Sequence, residues 1–386
     1  MSFVVDYGYT SFNKFGEELC GDNVAVTKKG DYTTLVLADG LGSGVRANIL
    51  STLTSKILTT MVSNDIPIED CIETIVETLP VLKNRGVAYS TFSVVHLNSK
   101  GKGFLFEFDN PRYILIRNGK YIELESKIMS ILDKKIYVTE LSLLKDDFIV
   151  LMSDGVPMAG AGITLNYGWQ REDIISYLEE KVQNCMSARC VANILASASE
   201  DLYLHEPYDD TTVAAVKFKE EVIVSVLVGP PARIEDESRY MMDFFGCDGY
   251  KIVCGGTTSK IVAAHLGETL RMENSSSDKE VPPIGYIKGV DLVTEGVLTL
   301  SKLLELAKTY VRIDSNIPKT FNKKDGASLL ADYLLEKATT VHFLVGQAIN
   351  DAYKSLQIDG MLKFKLVEEL ASTLRNIGKT VTIKYY

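Results

Sequence analysis

Residues 33–44 read Thr-Thr-Leu-Val-Leu-Ala-Asp-Gly-Leu-Gly-Ser-Gly, an apolar run that ends in an Asp-Gly pair and a glycine-rich turn. A second apolar run, Phe148 to Met152, ends in a similar way at Ser153-Asp154-Gly155. Continuous β-branched and apolar residues are typical of buried strands. Each run therefore predicts a strand that places one carboxylate where the backbone must turn. Asp209-Asp210 directly precedes a third strand-like run, Thr211 to Phe218.

An Asp-Gly pair is also the commonest hairpin turn, and this chain has five, beginning at positions 39, 154, 248, 325 and 359. The last three predict plain turns or helix caps. The first differs because Gly42-Ser43-Gly44 follows it and opens an apolar, helix-like segment, Ala47 to Val62. Such a turn at a helix N-terminus can hold an anion or a metal-bound phosphate. Carboxylates gathered from separate strand ends repel each other, and a divalent metal is the simplest way to offset that repulsion.

Four short motifs occur in order: Cys20-Gly21-Asp22, Ala38-Asp39-Gly40-Leu41-Gly42-Ser43-Gly44, Ser153-Asp154-Gly155-Val156 and Asp209-Asp210-Thr211-Thr212-Val213. Together they resemble the bacterial branch of the metal-dependent PP2C-type serine/threonine phosphatases, best known from the sporulation phosphatase SpoIIE. The resemblance covers roughly residues 1–219. It implies two stacked antiparallel sheets flanked by helices, with the metal ions at one end of the sandwich.

The resemblance also implies roles for particular residues. Asp39 would bridge two metal ions, Asp154 and Asp209 would complete the first site, and Asp22 would serve the second. Asp210 is the alternative to Asp209, because neighbouring carboxylates cannot be separated from sequence. The residues expected to act in catalysis are Asp39, Asp154 and Asp209. The full set of expected metal ligands, with the carbonyl oxygen of Gly40 included, is Asp22, Asp39, Gly40, Asp154, Asp209 and Asp210.

Oxygen ligands without His or Cys favour hard cations, so we expect Mn²⁺ or Mg²⁺, as two ions. Such a pair lowers the pKa of a bridging water, which can attack a phosphoserine or phosphothreonine in line. Eukaryotic members carry a His two residues beyond the bridging Asp and an Arg that grips the phosphate. Here Leu41 stands at the first position, and the region before Asp22 offers only Lys14 for the second. The general acid and the phosphate anchor therefore stay unidentified, and His205 is interpreted as a rim residue or a structural one.

The order of the predicted elements supports an α+β fold independently. Consecutive strand-like runs at 91–97, 103–108 and 113–117 predict an antiparallel meander within the phosphatase-like domain, residues 1–219. Helices are predicted over 68–82, 261–266 and 294–310, with a polar loop at 273–279. Strands alternate with helices over residues 220–386, which predicts a smaller α/β domain with a largely parallel sheet. Its turn Gly255-Gly256-Thr257-Thr258-Ser259 is interpreted either as a capped helix start or as a phosphate or nucleotide site.

Composition limits the possible partners and location. The net charge of −10 argues against nucleic acid as a partner. The N-terminus lacks the basic and apolar regions of a secretory signal, and no apolar run is long enough for a membrane span. Six scattered cysteines without a CxxC pair fit a protein of the cytoplasm.

Two functions remain open at this point. The first is a phosphatase acting on a phosphorylated regulatory protein, for which the family suggests an anti-sigma-factor antagonist or a similar protein. The second is a catalytically weak scaffold or sensor whose C-terminal domain binds a nucleotide or a protein partner. All four motifs retain their acidic residues, which favours the enzyme. Neither the substrate nor the oligomeric state follows from the sequence.

Overall fold

The computed structural model describes residues 2–78, 90–131, 134–272, 284–311, 325–348 and 358–386. The chain divides into two compact units, Met1–Glu220 and Glu221–Tyr386. None of the helices in the described ranges is both long and apolar enough to cross a lipid bilayer.

The first unit contains two antiparallel sheets. One has five strands in the order β1-β11-β10-β6-β7, which are β1 (Phe3–Phe12), β6 (Ile114–Arg117), β7 (Lys120–Ile122), β10 (Phe148–Met152) and β11 (Thr211–Glu220). The other has six strands in the order β2-β3-β4-β5-β9-β8, which are β2 (Asp22–Lys29), β3 (Tyr32–Gly40), β4 (Ser90–Asn98), β5 (Lys102–Phe108), β8 (Ser126–Ile131) and β9 (Lys134–Ser142). The helices are α1 (Gly44–Val62), α2 (Ile68–Thr78), α3 (Gly155–Met158), α4 (Arg171–Lys181) and α5 (Ala188–Leu202).

Strand β3 is buried on both faces, which explains its uninterrupted apolar sequence. Leu35 and Leu37 pack into the core between the two sheets, with Leu151 of β10. Val36 and Ala38 point the other way and pack with residues of α1 and α2. One short strand thus joins the sandwich core to the outer helices, and its end is held firmly in place.

The predicted antiparallel sandwich with flanking helices is confirmed. Three strands were not predicted: β7, β8 and β9. Five of the six residues of β8 are exposed or lie at intermediate burial on the outer edge of their sheet, so the sequence there carries no apolar run. The helix predicted over 68–82 is α2, which is described as far as Thr78; residues 79–82 lie outside the described residues.

The second unit is a seven-stranded sheet in the order β14-β15-β16-β13-β12-β17-β18 with helices on both faces. The strands are β12 (Ile223–Val228), β13 (Tyr250–Cys254), β14 (Arg271–Met272), β15 (Ile284–Tyr286), β16 (Leu292–Thr294), β17 (Thr340–Val345) and β18 (Thr380–Tyr385). The helices are α6 (Glu237–Gly246), α7 (Gly256–Leu266), α8 (Val297–Val311), α9 (Gly326–Ala331), which continues as a π-helix over Asp332–Lys337, and α10 (Ile358–Asn376).

The predicted largely parallel sheet is confirmed, because β16, β13, β12, β17 and β18 all run parallel. The helix predicted to begin at 294 begins at Val297, since Leu292–Thr294 is a short strand. The helix predicted over 261–266 begins earlier, at Gly256. The polar loop predicted at 273–279 lies outside the described residues.

Candidate functional site

The first two predicted site residues face each other across neighbouring strands. Asp22 begins β2 and pairs in register with Asp39, the penultimate residue of β3. The N–H of Gly40 donates to the carbonyl oxygen of Gly21 at 3.2 Å and extends this pairing into the turn. Both carboxylates therefore lie at the same end of the six-stranded sheet.

The remaining acidic residues reach the same end from the five-stranded sheet. The Ser153 N–H donates to the carbonyl oxygen of Thr212 at 2.9 Å, and the Thr212 N–H donates to the Ser153 hydroxyl at 2.8 Å. These bonds join the end of β10 to the start of β11, so that Asp154 and the Asp209-Asp210 pair come together. The structure thus gathers all five predicted carboxylates at one end of the sandwich.

The acidic residues strongly perturb one another. Burial first, and then the charges of Asp22, Asp154 and Asp209, raise the pKa of Asp39 to about 10. Burial likewise raises the pKa of Asp22 to about 7, with the Asp210 charge contributing. The pKa of Asp209 rises to about 6, from burial first and the Asp154 charge second. Asp154 also has a raised pKa although its side chain is exposed, because the cleft around it is partly desolvated.

Two of these residues carry buried oxygens with no hydrogen-bond partner. Both carboxylate oxygens of Asp22 are unpartnered, and so is Oδ2 of Asp210. The hydroxyls of Ser153 and Thr212 lie near Asp22 and lower its pKa, but they do not reach hydrogen-bond geometry with it. The Thr212 hydroxyl instead donates to the Ser11 hydroxyl at 2.8 Å. Unpartnered buried carboxylate oxygens are costly, and a cation is the natural partner for them.

The donor set fits a hard divalent cation. Five carboxylates supply only oxygen, and among the described residues no lysine, arginine or histidine forms an ion pair with any of them. Their side chains do not close around one point: in the described ranges, no three His, Cys, Asp or Glu side chains stand ready to hold an ion. The carboxylates are nevertheless close enough to raise one another's pKa values, and three of their oxygens are buried without a partner. The residues present therefore fit Mn²⁺ or Mg²⁺.

Asp209 and Asp210 point to different parts of the cluster. Asp210 is buried, its Oδ1 accepts the Lys14 backbone N–H at 3.0 Å, and its charge raises the pKa of Asp22. Asp209 is less buried; the Asp154 charge raises its pKa, and its own charge raises the pKa of Asp39. The charge of Asp210 also raises the pKa of Asp154. A Cβ on Gly21 would lie 2.6 Å from Oδ2 of Asp210, so only glycine lets that carboxylate come this close.

Glu17 is a further acidic residue that the sequence reasoning missed. Its Oε1 accepts the Ser43 hydroxyl at 3.2 Å, and a Cβ on Gly44 would lie 2.5 Å from Oε2. The turn that was expected to hold an anion at the start of α1 is therefore occupied by a carboxylate of this chain. A Glu two residues after Phe15 carries no signal in the sequence, since its position depends on the path of the loop.

Gly155 is a second residue whose importance appears only in the structure. A Cβ there would lie 2.3 Å from the carbonyl oxygen of Asp210, so the contact between β10 and β11 requires glycine. The hydroxyl of Tyr203 donates to the Gly155 carbonyl oxygen at 2.6 Å and ties α5 to the same turn. These contacts set the position of Asp154 relative to Asp210.

Other candidates lie away from the cluster. His205 is exposed beyond the end of α5, where it approaches Glu200 and Asp201 at 4.0 and 3.8 Å. His96 lies in β4, and its Nδ1 is 2.8 Å from the Thr34 hydroxyl, as expected of a structural strand residue. The Cys20 thiol borders the cluster, and burial raises its pKa, which excludes a thiolate nucleophile.

The raised carboxyl pKa values predict a pH dependence of stability. An Asp that titrates near 3.9 when unfolded but near 6 to 10 when folded keeps its proton longer in the folded state. Stability therefore falls as the pH rises through this interval. We expect the melting temperature in EDTA to be lower at pH 8.0 than at pH 5.5. Mn²⁺ should raise it more at pH 8.0, because the ion competes with fewer protons.

Thermal unfolding followed by circular dichroism measures this effect, with Asp22→Asn as the comparison. That variant lacks one of the titrating carboxylates and should show a smaller fall between the two pH values. An equal fall in both proteins would show that other groups dominate the pH dependence.

Comparison with known proteins matches most of the first unit to one family model. Residues 29–219 match the family model for stage II sporulation protein E (SpoIIE). No curated protein sequence matches the chain. Among solved structures, the phosphatase domain of SpoIIE from Bacillus subtilis is 19% identical, with 57% of this chain and 94% of that chain covered and a TM-score of 0.44.

Two further structures are similar at comparable levels. RsbX in complex with magnesium is 21% identical, covering 56% of this chain and 96% of that chain, with a TM-score of 0.40. The RsbU and RsbW domains of a Mycobacterium tuberculosis protein are 14% identical, covering 85% of this chain and 78% of that chain, with a TM-score of 0.46.

Proposed function

We propose that the first unit, of which residues 29–219 match the SpoIIE family model, hydrolyses phosphoserine or phosphothreonine in a protein, using Mn²⁺ or Mg²⁺. The observation that carries the proposal is the set of buried, unpartnered oxygens on Asp22 and Asp210 beside Asp39. A cluster kept for structure alone would have its oxygens hydrogen-bonded.

Each acidic residue has a proposed role as a metal ligand that follows from its neighbours in the cluster. Asp39, whose pKa responds to the charges of both Asp22 and Asp154, would bridge the two ions. Asp154 and Asp209 would hold one ion, and Asp22 the other, with the Gly40 carbonyl as a further ligand. Asp210 is placed to bind or to orient on the Asp22 side, since its charge acts on Asp22. When bound, the ions supply Lewis-acid activation of the attacking water.

The surroundings of the cluster suit a substrate presented on a protein surface. Asp154 is exposed, and the neighbouring Leu41 and Val45 are 43% and 60% exposed. An open, apolar rim lets a phosphorylated side chain approach without entering a deep cavity. We propose a phosphorylated regulatory protein as the substrate, with an anti-sigma-factor antagonist as the first type to test.

The test is hydrolysis of phosphoserine and phosphothreonine peptides by the full chain. We expect release of phosphate that requires Mn²⁺ or Mg²⁺, stops in EDTA and returns when the ion is added back. A phosphotyrosine peptide of matched sequence is the control for specificity, and its turnover should be slower. Hydrolysis that persists unchanged in EDTA would refute the metal-dependent mechanism.

A further inference from the structure

The second unit has the topology of a doubly wound sheet. Its five parallel strands, β12, β13, β16, β17 and β18 in chain order, lie side by side in the order third, second, first, fourth, fifth. In such sheets, ligands bind at the carboxyl ends of the strands, where helices leave toward opposite faces. Two neighbouring strand pairs meet that condition here: β12 with β17, and β13 with β16.

The crevice between β12 and β17 is filled by the backbone of the chain itself. The Gly346 N–H donates to the Val228 carbonyl oxygen at 2.9 Å, and the Ala348 N–H donates to that of Pro230 at 3.1 Å. A Cβ on Gly346 would lie 2.0 Å from the Pro230 carbonyl oxygen. The ammonium group of Lys363 caps the Gly346 carbonyl oxygen from the other side. This crevice therefore has no room for a ligand.

The ends of β13 and β16 are different. Helix α7, which follows β13, packs on one face of the sheet, and α8, which follows β16, packs on the other. Gly255 and Gly296 directly precede the two helices, and a Cβ on Gly296 would lie 3.5 Å from the Gly255 Cα. Two helix N-termini thus adjoin at the carboxyl edge of the sheet.

The backbone at this junction is open. Gly255 has φ of 119°, and a Cβ on Gly256 would meet no atom within 4 Å. Gly256 and Thr257 are exposed. The Ser259 N–H donates to the Gly255 carbonyl oxygen, and the Leu300 N–H donates to the Gly296 carbonyl oxygen. The earlier N–H groups in the first turn of each helix therefore have no acceptor within the helix and face out of its end.

Buried polar atoms without partners lie beneath the open backbone. Thr258 is 1% exposed, its hydroxyl has no hydrogen-bond partner, and that oxygen lies 3.2 Å from where a Gly255 Cβ would be. The hydroxyl of Thr299, in the first turn of α8, is also buried and unpartnered. So is Oε2 of Glu295, which directly follows β16. Each such atom destabilises the folded protein unless something binds it.

We propose that this junction binds a small phosphate ester that carries free hydroxyl groups, such as a sugar phosphate or a nucleotide. The N-termini of α7 and α8 attract the phosphate through their free N–H groups and dipoles. The hydroxyls of Thr258 and Thr299 donate to its oxygens. Glu295 accepts a hydroxyl of the sugar, and its negative charge selects against an unesterified phosphate. This function is separate from the acidic cluster of the first unit.

Isothermal titration calorimetry on the full chain tests the proposal, with EDTA present to silence the phosphatase site. The probes are ribose 5-phosphate, AMP, adenosine and inorganic phosphate. We expect at least one of the two esters to bind, adenosine to fail, and inorganic phosphate to bind more weakly than the ester. The comparison of AMP with ribose 5-phosphate shows whether a base is also recognised.

Variants locate the binding. Thr258→Val should weaken ester binding about tenfold, and Thr258→Ser, which keeps the hydroxyl, should restore it. Gly256→Glu should weaken binding at least 100-fold, because the new carboxylate would repel the phosphate at the N-termini of α7 and α8. Ser225→Ala is the matched control, since Ser225 in β12 is also buried with an unpartnered hydroxyl but lies within a strand. Its affinity should equal that of the wild type.

Three results would overturn the proposal: neither ester binds the wild type, Thr258→Val binds as tightly as the wild type, or inorganic phosphate binds as tightly as the esters. Far-UV circular dichroism establishes that each variant is folded before its affinity is compared.

Discussion

Replacing Asp39 with Asn is expected to lower phosphatase activity about 10³-fold, the cost of losing several kcal/mol of metal-assisted stabilisation. The same change should raise the melting temperature of the metal-free protein. Asp39 is surrounded by the charges of Asp22, Asp154 and Asp209, and the amide removes one of the repelling groups. Loss of activity together with gain of stability separates a functional carboxylate from a structural one.

Phosphopeptide hydrolysis in Mn²⁺ and thermal unfolding in EDTA measure the two effects. Asp201→Asn is the control, because Asp201 is an exposed carboxylate on α5, with its side chain 66% exposed. It should leave both quantities unchanged. Full activity in Asp39→Asn, with an unchanged stabilisation by Mn²⁺, would refute the assignment of Asp39 as a bridging ligand.

Gly40→Ala is expected to have the second largest effect, and to act on stability as well as activity. A Cβ at this position would lie 2.0 Å from the Ala47 carbonyl oxygen and 2.6 Å from its carbonyl carbon. Both atoms belong to the backbone of α1, so the helix itself must move. Overpacking of this kind costs about 3 kcal/mol, which lowers the melting temperature of a unit of this size by roughly 6–12 °C.

The displacement also moves Asp39, because Gly40 follows it directly. An error of about 1 Å in a catalytic position costs about 100-fold in rate, and we expect at least that loss in the phosphopeptide assay. Gly30→Ala is the comparison. Gly30 has φ of 58° in the turn between β2 and β3, and its Cβ would meet nothing within 4 Å. That variant should lose about 1 kcal/mol from left-handed strain and keep its activity. Unchanged stability in Gly40→Ala would show that α1 does not pack against Gly40.

Much of the first unit could be predicted because its strands bury continuous apolar runs. Strand β3 is buried on both faces, so its sequence is apolar throughout and its end at Asp39 is unambiguous. The mostly exposed strand β8 has no such pattern, and it was missed for that reason. In the second unit, the three-residue strand β16 was merged into the following helix, because its length is below that at which periodicity is visible.

The acidic residues that gather could be predicted, since each lies within two residues of a strand end and strand ends meet at the edges of sheets. Their arrangement is visible only in the folded chain. Asp210 is buried, accepts the Lys14 backbone N–H and acts on Asp22 and Asp154, whereas Asp209 is less buried and acts on Asp39. Glu17 reaches the start of α1 through a loop whose path no local pattern encodes.

The same division holds for the second unit. The run Gly255-Gly256-Thr257-Thr258-Ser259 is compatible with a capped helix start and with a phosphate or nucleotide site, because both use the same residues. Whether this run forms part of a phosphate site depends on Gly296 and Thr299, some 40 residues away, which the parallel sheet brings to the same edge. Local sequence patterns predict which residues are buried and where the chain turns. A functional site depends on distances between residues of different strands, and only the folded chain sets those distances.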